Sequence, residues 1–116
     1  DAVDYVCAHA TATPNGDAAE AANIEAVFGA GTTPPVSSLK SMTGHELWMA
    51  GAAQVVYTVI MRQQGFTAAN INFDAPDEAT AGLNIITETR AEPPSLALCN
   101  SAGFGGTNAA LVLAFD

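Results

Sequence analysis

The sequence predicts a layered α/β fold with the order β-α-β-α-β-β. Three observations predict it. Short, nearly continuous apolar runs alternate with longer stretches whose apolar residues recur at helical spacing. Glycine and proline clusters separate the two kinds of segment. Two apolar strands in the last third of the chain are joined by a short glycine-rich link, the pattern of an antiparallel hairpin.

Val3-Asp4-Tyr5-Val6-Cys7-Ala8 is apolar at most positions and reads as the first strand. Asn15-Gly16-Asp17 offers side chains that can cap a helix. Ala21, Ile24, Val27 and Phe28 follow at helical spacing, and Gly29 ends the run. Residues 31–35 form a turn, and Val36-Ser37-Ser38-Leu39 is a short buried strand. A loop over residues 40–44 leads into a long helix over 45–64, with Gly65 as its stop and a buried surface nearly all round. Leu47, Trp48, Val55, Val56, Val59 and Ile60 cover most of its faces. Residues 70–82, rich in Asp, Asn and Pro, form an ordered loop. A further short strand is expected over 83–87, before Glu92-Pro93-Pro94 breaks the chain. Residues 96–100 and 109–114 are the hairpin strands, with 103–108 between them. No internal repeat is visible.

The chain has 116 residues, of which 49% are apolar and 13% charged. That composition excludes a disordered segment. It is also more apolar than a small free-standing surface requires, so residues 1–116 are expected to be one part of a longer protein. The net charge of −9 excludes a basic nucleic-acid footprint, and an anionic membrane would repel the chain. The longest weakly charged run, residues 47–61, is shorter than a membrane-spanning helix and carries Gln54 and Thr58. No signal-peptide pattern is visible. Cys7 and Cys99 lie in apolar runs without metal-ligand spacing, so they read as buried free thiols in a cytoplasmic protein.

The chemistry concentrates in three polar loops at residues 9–13, 40–45 and 103–108. The only lysine, Lys40, stands five residues before His45, one of two histidines. The other, His9, closes the first strand. In open α/β folds such loops gather at one edge of the sheet. Two neutral imidazoles can donate hydrogen bonds to one developing oxyanion. His45 at a helix N-terminus would feel the positive end of the dipole and stay neutral. The glycines of the third loop let backbone N–H groups approach a ligand closely. No Lys-Ser or Lys-Thr follows them, so the loop is not a phosphate loop.

Four stretches together carry a family resemblance. They are Val6-Cys7-Ala8-His9-Ala10-Thr11-Ala12-Thr13-Pro14, residues 17–20, Lys40-Ser41-Met42-Thr43-Gly44-His45, and residues 100–108. In order and spacing, across nearly the whole chain, they resemble the C-terminal part of β-ketoacyl-acyl-carrier-protein synthases, the condensing enzymes of the thiolase superfamily. Met42 and Leu83-Asn84-Ile85-Ile86-Thr87-Glu88-Thr89 are most similar to the elongating synthases of dissociated bacterial systems.

The resemblance implies that residues 1–116 form most of the second half of a thiolase fold, whose first half carries the nucleophilic cysteine. It implies a decarboxylating Claisen condensation in fatty-acid elongation. A cysteine takes an acyl group from acyl carrier protein, malonyl carrier protein loses CO2, and the enolate attacks the acyl-enzyme. On that pattern His9 and His45 hold the malonyl thioester oxygen. Lys40 orders the site electrostatically with Glu20 as its acidic partner, and Thr11 and Thr13 hydrogen-bond the pantetheine arm. Phe104 supplies a backbone N–H to the oxyanion hole, and its ring gates the acyl pocket. No cofactor and no metal are implied, because the substrates ride on the phosphopantetheine arm of the carrier protein. A homodimer is implied for the full protein.

Neither Cys7 nor Cys99 sits in the nucleophile's context, so this chain alone should be inactive. Three departures from the family pattern bear on the pocket: Ala10 for glycine, Trp48-Met49 for a small Gly-Ala pair, and Ala102 for an aromatic residue. Within the family, a polyketide ketosynthase domain or a noncatalytic partner resembling chain-length factors is the alternative. A small binding or structural domain reusing half the fold is a further reading from a different class.

Overall fold

A computed structural model of the chain describes residues 2–116. Strand β1 (Tyr5–Cys7) is followed by helix α1 (Pro14–Phe28), strand β2 (Pro35–Ser37) and the single-turn helix α2 (Lys40–Thr43). A 3-10 turn (Leu47–Met49) then leads into helix α3 (Ala50–Gln64). Strand β3 (Asn84–Ile85) and the hairpin of β4 (Leu96–Gly103) and β5 (Thr107–Ala114) complete the order. One sheet holds all five strands in the order β3-β2-β1-β4-β5. β1 lies parallel to β2 and β4, β2 parallel to β3, and β4 antiparallel to β5.

Side chains alternate across β1 and build a core on each face. Tyr5 and Cys7 face Leu39, Met61, Ile86, Ala97 and Cys99. Val6 and Ala8 face Ile24 and Val36, with Phe28 and Leu83 packed against them. The sheet therefore lies between α1 and α3, the α-β-α layering the sequence predicts.

Local chemistry explains the helix ends. Pro14 occupies the first position of α1, where its fixed φ and missing N–H cost nothing, so Thr13 takes the cap position expected of Asn15 or Asp17. Gly29 ends α1, its N–H bonding the Glu25 carbonyl at 2.8 Å. Gly65 ends α3 in the left-handed conformation at φ 78°. Gly51 lets the start of α3 approach β4 closely, since a Cβ there would lie 3.1 Å from Ser101 Oγ.

Four expectations need correction. The order β-α-β-α-β-β omits the short strand expected over 83–87, which forms at Asn84–Ile85 as a parallel edge strand beside β2 and brings the strands to five. Residues 40–43 form a helical turn rather than a loop. The long helix begins at Ala50, not His45, because Gly44 and Leu47 both take positive φ, at 77° and 57°, and interrupt the helical run. Finally, α3 is not buried all round. Ala50, Ala53, Gln54, Thr58 and Met61 form one buried stripe, while Val56, Ile60 and the preceding Trp48, 98% exposed, face outward. The sheet covers only one side of this helix.

Candidate active site

Because β1, β2 and β4 run parallel, the loops after their C-terminal ends share one edge of the sheet. His9 follows β1, Lys40 follows β2 and Phe104 follows β4. The structure brings His9 and His45 together: their ring centroids lie 5.6 Å apart with the planes at 88°. His9 is half-buried and His45 exposed.

The His45 ring is set by its own loop. The Leu47 N–H donates to His45 Nδ1 at 3.3 Å. That contact leaves the proton on Nε2, so the exposed nitrogen is a donor. Leu47 reaches it at φ 57°, an uncommon conformation for a branched residue. His45 stands five residues before α3, so it is not at the helix N-terminus expected from the sequence.

For His9, burial is the main force holding the imidazole below its ordinary value, and the nearby Lys40 charge adds to it while Glu20 opposes. An imidazole held below its usual range is neutral at pH 7. Burial likewise lowers the Lys40 ammonium, against the pull of Cys7, Glu46 and Glu20. Lys40 Nζ and His9 Nδ1 are both buried without a hydrogen-bond partner.

Glu20 does not pair with Lys40 by a hydrogen bond. Its carboxylate accepts the backbone N–H groups of His9 and Ala10, both at 2.8 Å, and the Asn100 side chain at 3.3 Å. The helix that carries it runs beside the end of β1, which puts the backbone amides nearer than the ammonium. Thr11 and Thr13 are neighbours, Oγ1 to Oγ1 at 3.3 Å, on the surface of the loop. Phe104 lies on the same edge at the hairpin tip, between Gly103 and the left-handed Gly105 and Gly106. Its ring is fully exposed and packs on none of the other candidates.

Reading the sequence missed Asp17 and Gln54. Burial raises the Asp17 carboxyl, against the backbone N–H groups of Thr11, Ala12 and Thr13. Its spacing from Glu20, three residues along one helix, was a usable signal. Gln54 is a lone amide in an apolar helix, and its Nε2 donates to the Ala8 carbonyl at 2.7 Å. A pocket on the α1 side of the sheet is lined by Asp17, Glu20, Ile24, Ser38, Asn70 and Phe73, but by neither histidine. Cys7 and Cys99 are free, buried and opposite each other in the β1–β4 register. Hydrogen bonding to Cys99, then burial, push the Cys7 thiol up. Among the described residues no group of three or more His, Cys, Asp or Glu is placed to hold a metal ion, and no helix is long and apolar enough to cross a membrane.

Comparison with known proteins places this arrangement. Residues 1–74 match the family model described as beta-ketoacyl synthase, C-terminal domain. The 3-oxoacyl-[acyl-carrier-protein] synthase 1 of Escherichia coli strain K12 is 47% identical over 111 residues, covering 96% of this chain and 27% of the relative. A beta-ketoacyl synthase from Burkholderia phymatum superposes with a TM-score of 0.88 at 38% identity, over 96% of this chain and 27% of that one. A type II polyketide ketosynthase, solved with its acyl carrier protein and bound to the hexaketide, superposes at 0.86 with 33% identity, over 95% of this chain and 27% of that one. The chain thus spans about a quarter of the length of the proteins it matches.

Proposed function

The chain belongs to the β-ketoacyl synthase family, and from that premise we propose that it is the C-terminal part of a β-ketoacyl-acyl-carrier-protein synthase of fatty-acid elongation. The observation that carries this reading is the pair of imidazoles with ring centroids 5.6 Å apart, close enough to share one oxygen.

In the proposed step, a malonyl thioester binds with its carbonyl oxygen between His9 and His45. The bond from the α-carbon to the carboxylate breaks and CO2 leaves. Its electron pair forms the enolate, whose negative oxygen takes hydrogen bonds from both rings. The enolate carbon then attacks the acyl-cysteine thioester, a C–C bond forms, and the cysteine thiolate departs. The cysteine comes from the N-terminal part of the protein. A neutral His9 suits this task, because it donates to the oxygen without giving up a proton to it. The tautomer fixed by Leu47 supports the donor role of His45.

Lys40 contributes positive potential beneath the site, and Glu20 holds the loop that carries His9. Thr11 and Thr13 receive the pantetheine arm of acyl carrier protein. The backbone N–H of Phe104 completes the oxyanion hole for the acyl-enzyme, and its ring closes over the acyl chain. The reaction takes no cofactor. The full protein acts as a homodimer in the cytoplasm. A polyketide ketosynthase is the second reading, supported by the likeness to the polyketide enzyme.

The test is decarboxylation of a malonyl thioester by the full-length protein. His45→Ala should lower kcat by about 10²–10³, while loading of an acyl group onto the cysteine continues. Undiminished decarboxylation by that variant would refute the assignment.

A further inference from the structure

We propose that Gln54 is a positioning residue for His9, acting through the Ala8–His9 peptide group; the inference rests on the enolate-stabilising reading of His9. Sheet pairing reaches as far as the Ala8 N–H, which bonds the Ser37 carbonyl at 2.9 Å. Beyond it, side chains from three elements take over. Gln54 Nε2, on α3, donates to the Ala8 carbonyl at 2.7 Å. Glu20, on α1, accepts the His9 and Ala10 N–H groups at 2.8 Å each. Ser38 Oγ, just after β2, donates to the Ala10 carbonyl at 2.9 Å.

The Ala8 carbonyl and the His9 N–H belong to one planar peptide unit. Gln54 holds one end of that plane and Glu20 the other, from opposite layers of the fold. Because Glu20 also holds the Ala10 N–H, the peptide planes on both sides of the His9 Cα are held, and with them the direction in which its side chain leaves the backbone.

Gln54 is 2% exposed, on the buried stripe of α3. A buried amide is unfavourable unless it is bonded, and its Oε1 has no partner. An apolar side chain would fill the same space but leave the buried Ala8 carbonyl without this donor. What glutamine adds is a donor aimed at the Ala8 carbonyl. The titratable groups around His9 are Asp17 and Glu20 on α1, Lys40 on α2 and His45.

Two variants of the full-length protein test this. Gln54→Glu keeps the shape but replaces the donor with a carboxylate facing a carbonyl. At pH 8 its kcat for malonyl-thioester decarboxylation should fall about 100-fold with KM nearly unchanged. The deficit relative to wild type should shrink as the pH falls and the buried carboxyl gains a proton to donate. Gln54→Met should show a loss of the same order at every pH. A merely structural residue would lower the melting temperature without a pH-dependent kcat ratio. A flat ratio for Gln54→Glu, or wild-type kcat in Gln54→Met, overturns the proposal. Should Gln54→Glu not fold, the uncharged Gln54→Met decides.

A readout independent of turnover separates this idea from the proposed function. In an NMR titration of the histidine rings, Gln54→Met should move the His9 curve and leave His45 in place. Identical His9 curves would overturn the positioning role. A wild-type protein that does not decarboxylate malonyl thioesters would instead refute the enolate reading, and the titration would still decide the role of Gln54.

Discussion

The two histidines face each other but are supported in opposite ways. His9 sits at the end of the central strand, where four hydrogen bonds from Glu20, Gln54 and Ser38 grip the backbone at residues 8–10. His45 sits in a loop whose neighbouring residues are held by the Thr43 hydroxyl on the Gly44 carbonyl and the Tyr57 hydroxyl on Glu46, and its ring accepts the Leu47 N–H. Beyond Glu46, the residues Leu47, Trp48 and Met49 all expose large apolar side chains. His9 is therefore positioned by this chain's own layers. The His45 side of the site presents the kind of apolar surface that protein normally covers. The matched relatives are nearly four times as long, which leaves ample chain to cover it.

The largest effect should come from breaking the well-supported side. In the full-length protein, Glu20→Ala leaves two backbone N–H groups and the Asn100 amide without their acceptor. Stability should fall by about 2 kcal/mol, read as a shift in the denaturant midpoint. Decarboxylation should fall with it by about 100-fold, since His9 loses its orientation. A variant with wild-type rate would show that the His9 loop does not need this carboxylate.

A smaller effect should follow pH. Because His9 is held below its ordinary value, the folded protein binds fewer protons there than the unfolded chain does. The stability due to neutral His9 is complete above about pH 6.5 and is lost as pH falls from there toward the folded value. Denaturant midpoints measured from pH 8 to pH 5 should decline in this window, and His9→Gln should flatten the decline. An equal decline in that variant would assign the effect to other groups.

The smallest effect concerns the open side. The 116-residue chain by itself should bind a hydrophobic dye and self-associate, and Trp48→Gly should weaken dye binding modestly. Because Trp48 makes almost no contact within the chain, the substitution should change stability by no more than about 0.5 kcal/mol. A larger loss would mean that the indole already packs inside this chain.

Much of the architecture was legible because strong local signals agreed with it. Val6 and Cys7 lie in a continuous apolar run, Ile24 and Phe28 share one helical stripe, and Gly105-Gly106 permits a tight turn. These yielded β1, α1 and the hairpin. The histidine pair was legible as a motif, although the sequence alone does not give the distance between the rings. The strand read over 83–87 forms only at Asn84–Ile85, and two residues are too few to show a period that would place them in the order. Nothing about a leucine announces a positive φ, so the break at Leu47 was invisible and the helix was started too early. Gln54 looked like a tolerated polar residue because its bond goes to a backbone carbonyl 46 positions away. Glu20 came with the resemblance as the acidic partner of Lys40; it acts on Lys40 through charge, but its hydrogen bonds go to the amides of the His9 loop, which a motif does not display.

The central pairing of the sheet has a consequence for how this site comes into being. β1 pairs with β4 through Cys7 and Cys99, and Glu20 reaches Asn100 across 80 positions. Asp4 accepts the Ser95 and Leu96 N–H groups from 91 and 92 positions away. Contacts between such distant segments require closing nearly the whole chain into a loop before any reward is gained, which slows folding. On a ribosome, β1 and the His9 loop emerge long before the strand that completes their surroundings. The edge that carries the histidines is therefore a late product of folding: a chain stopped short of residue 96 would lose its final strands and, with them, the central partner that holds its first strand in place.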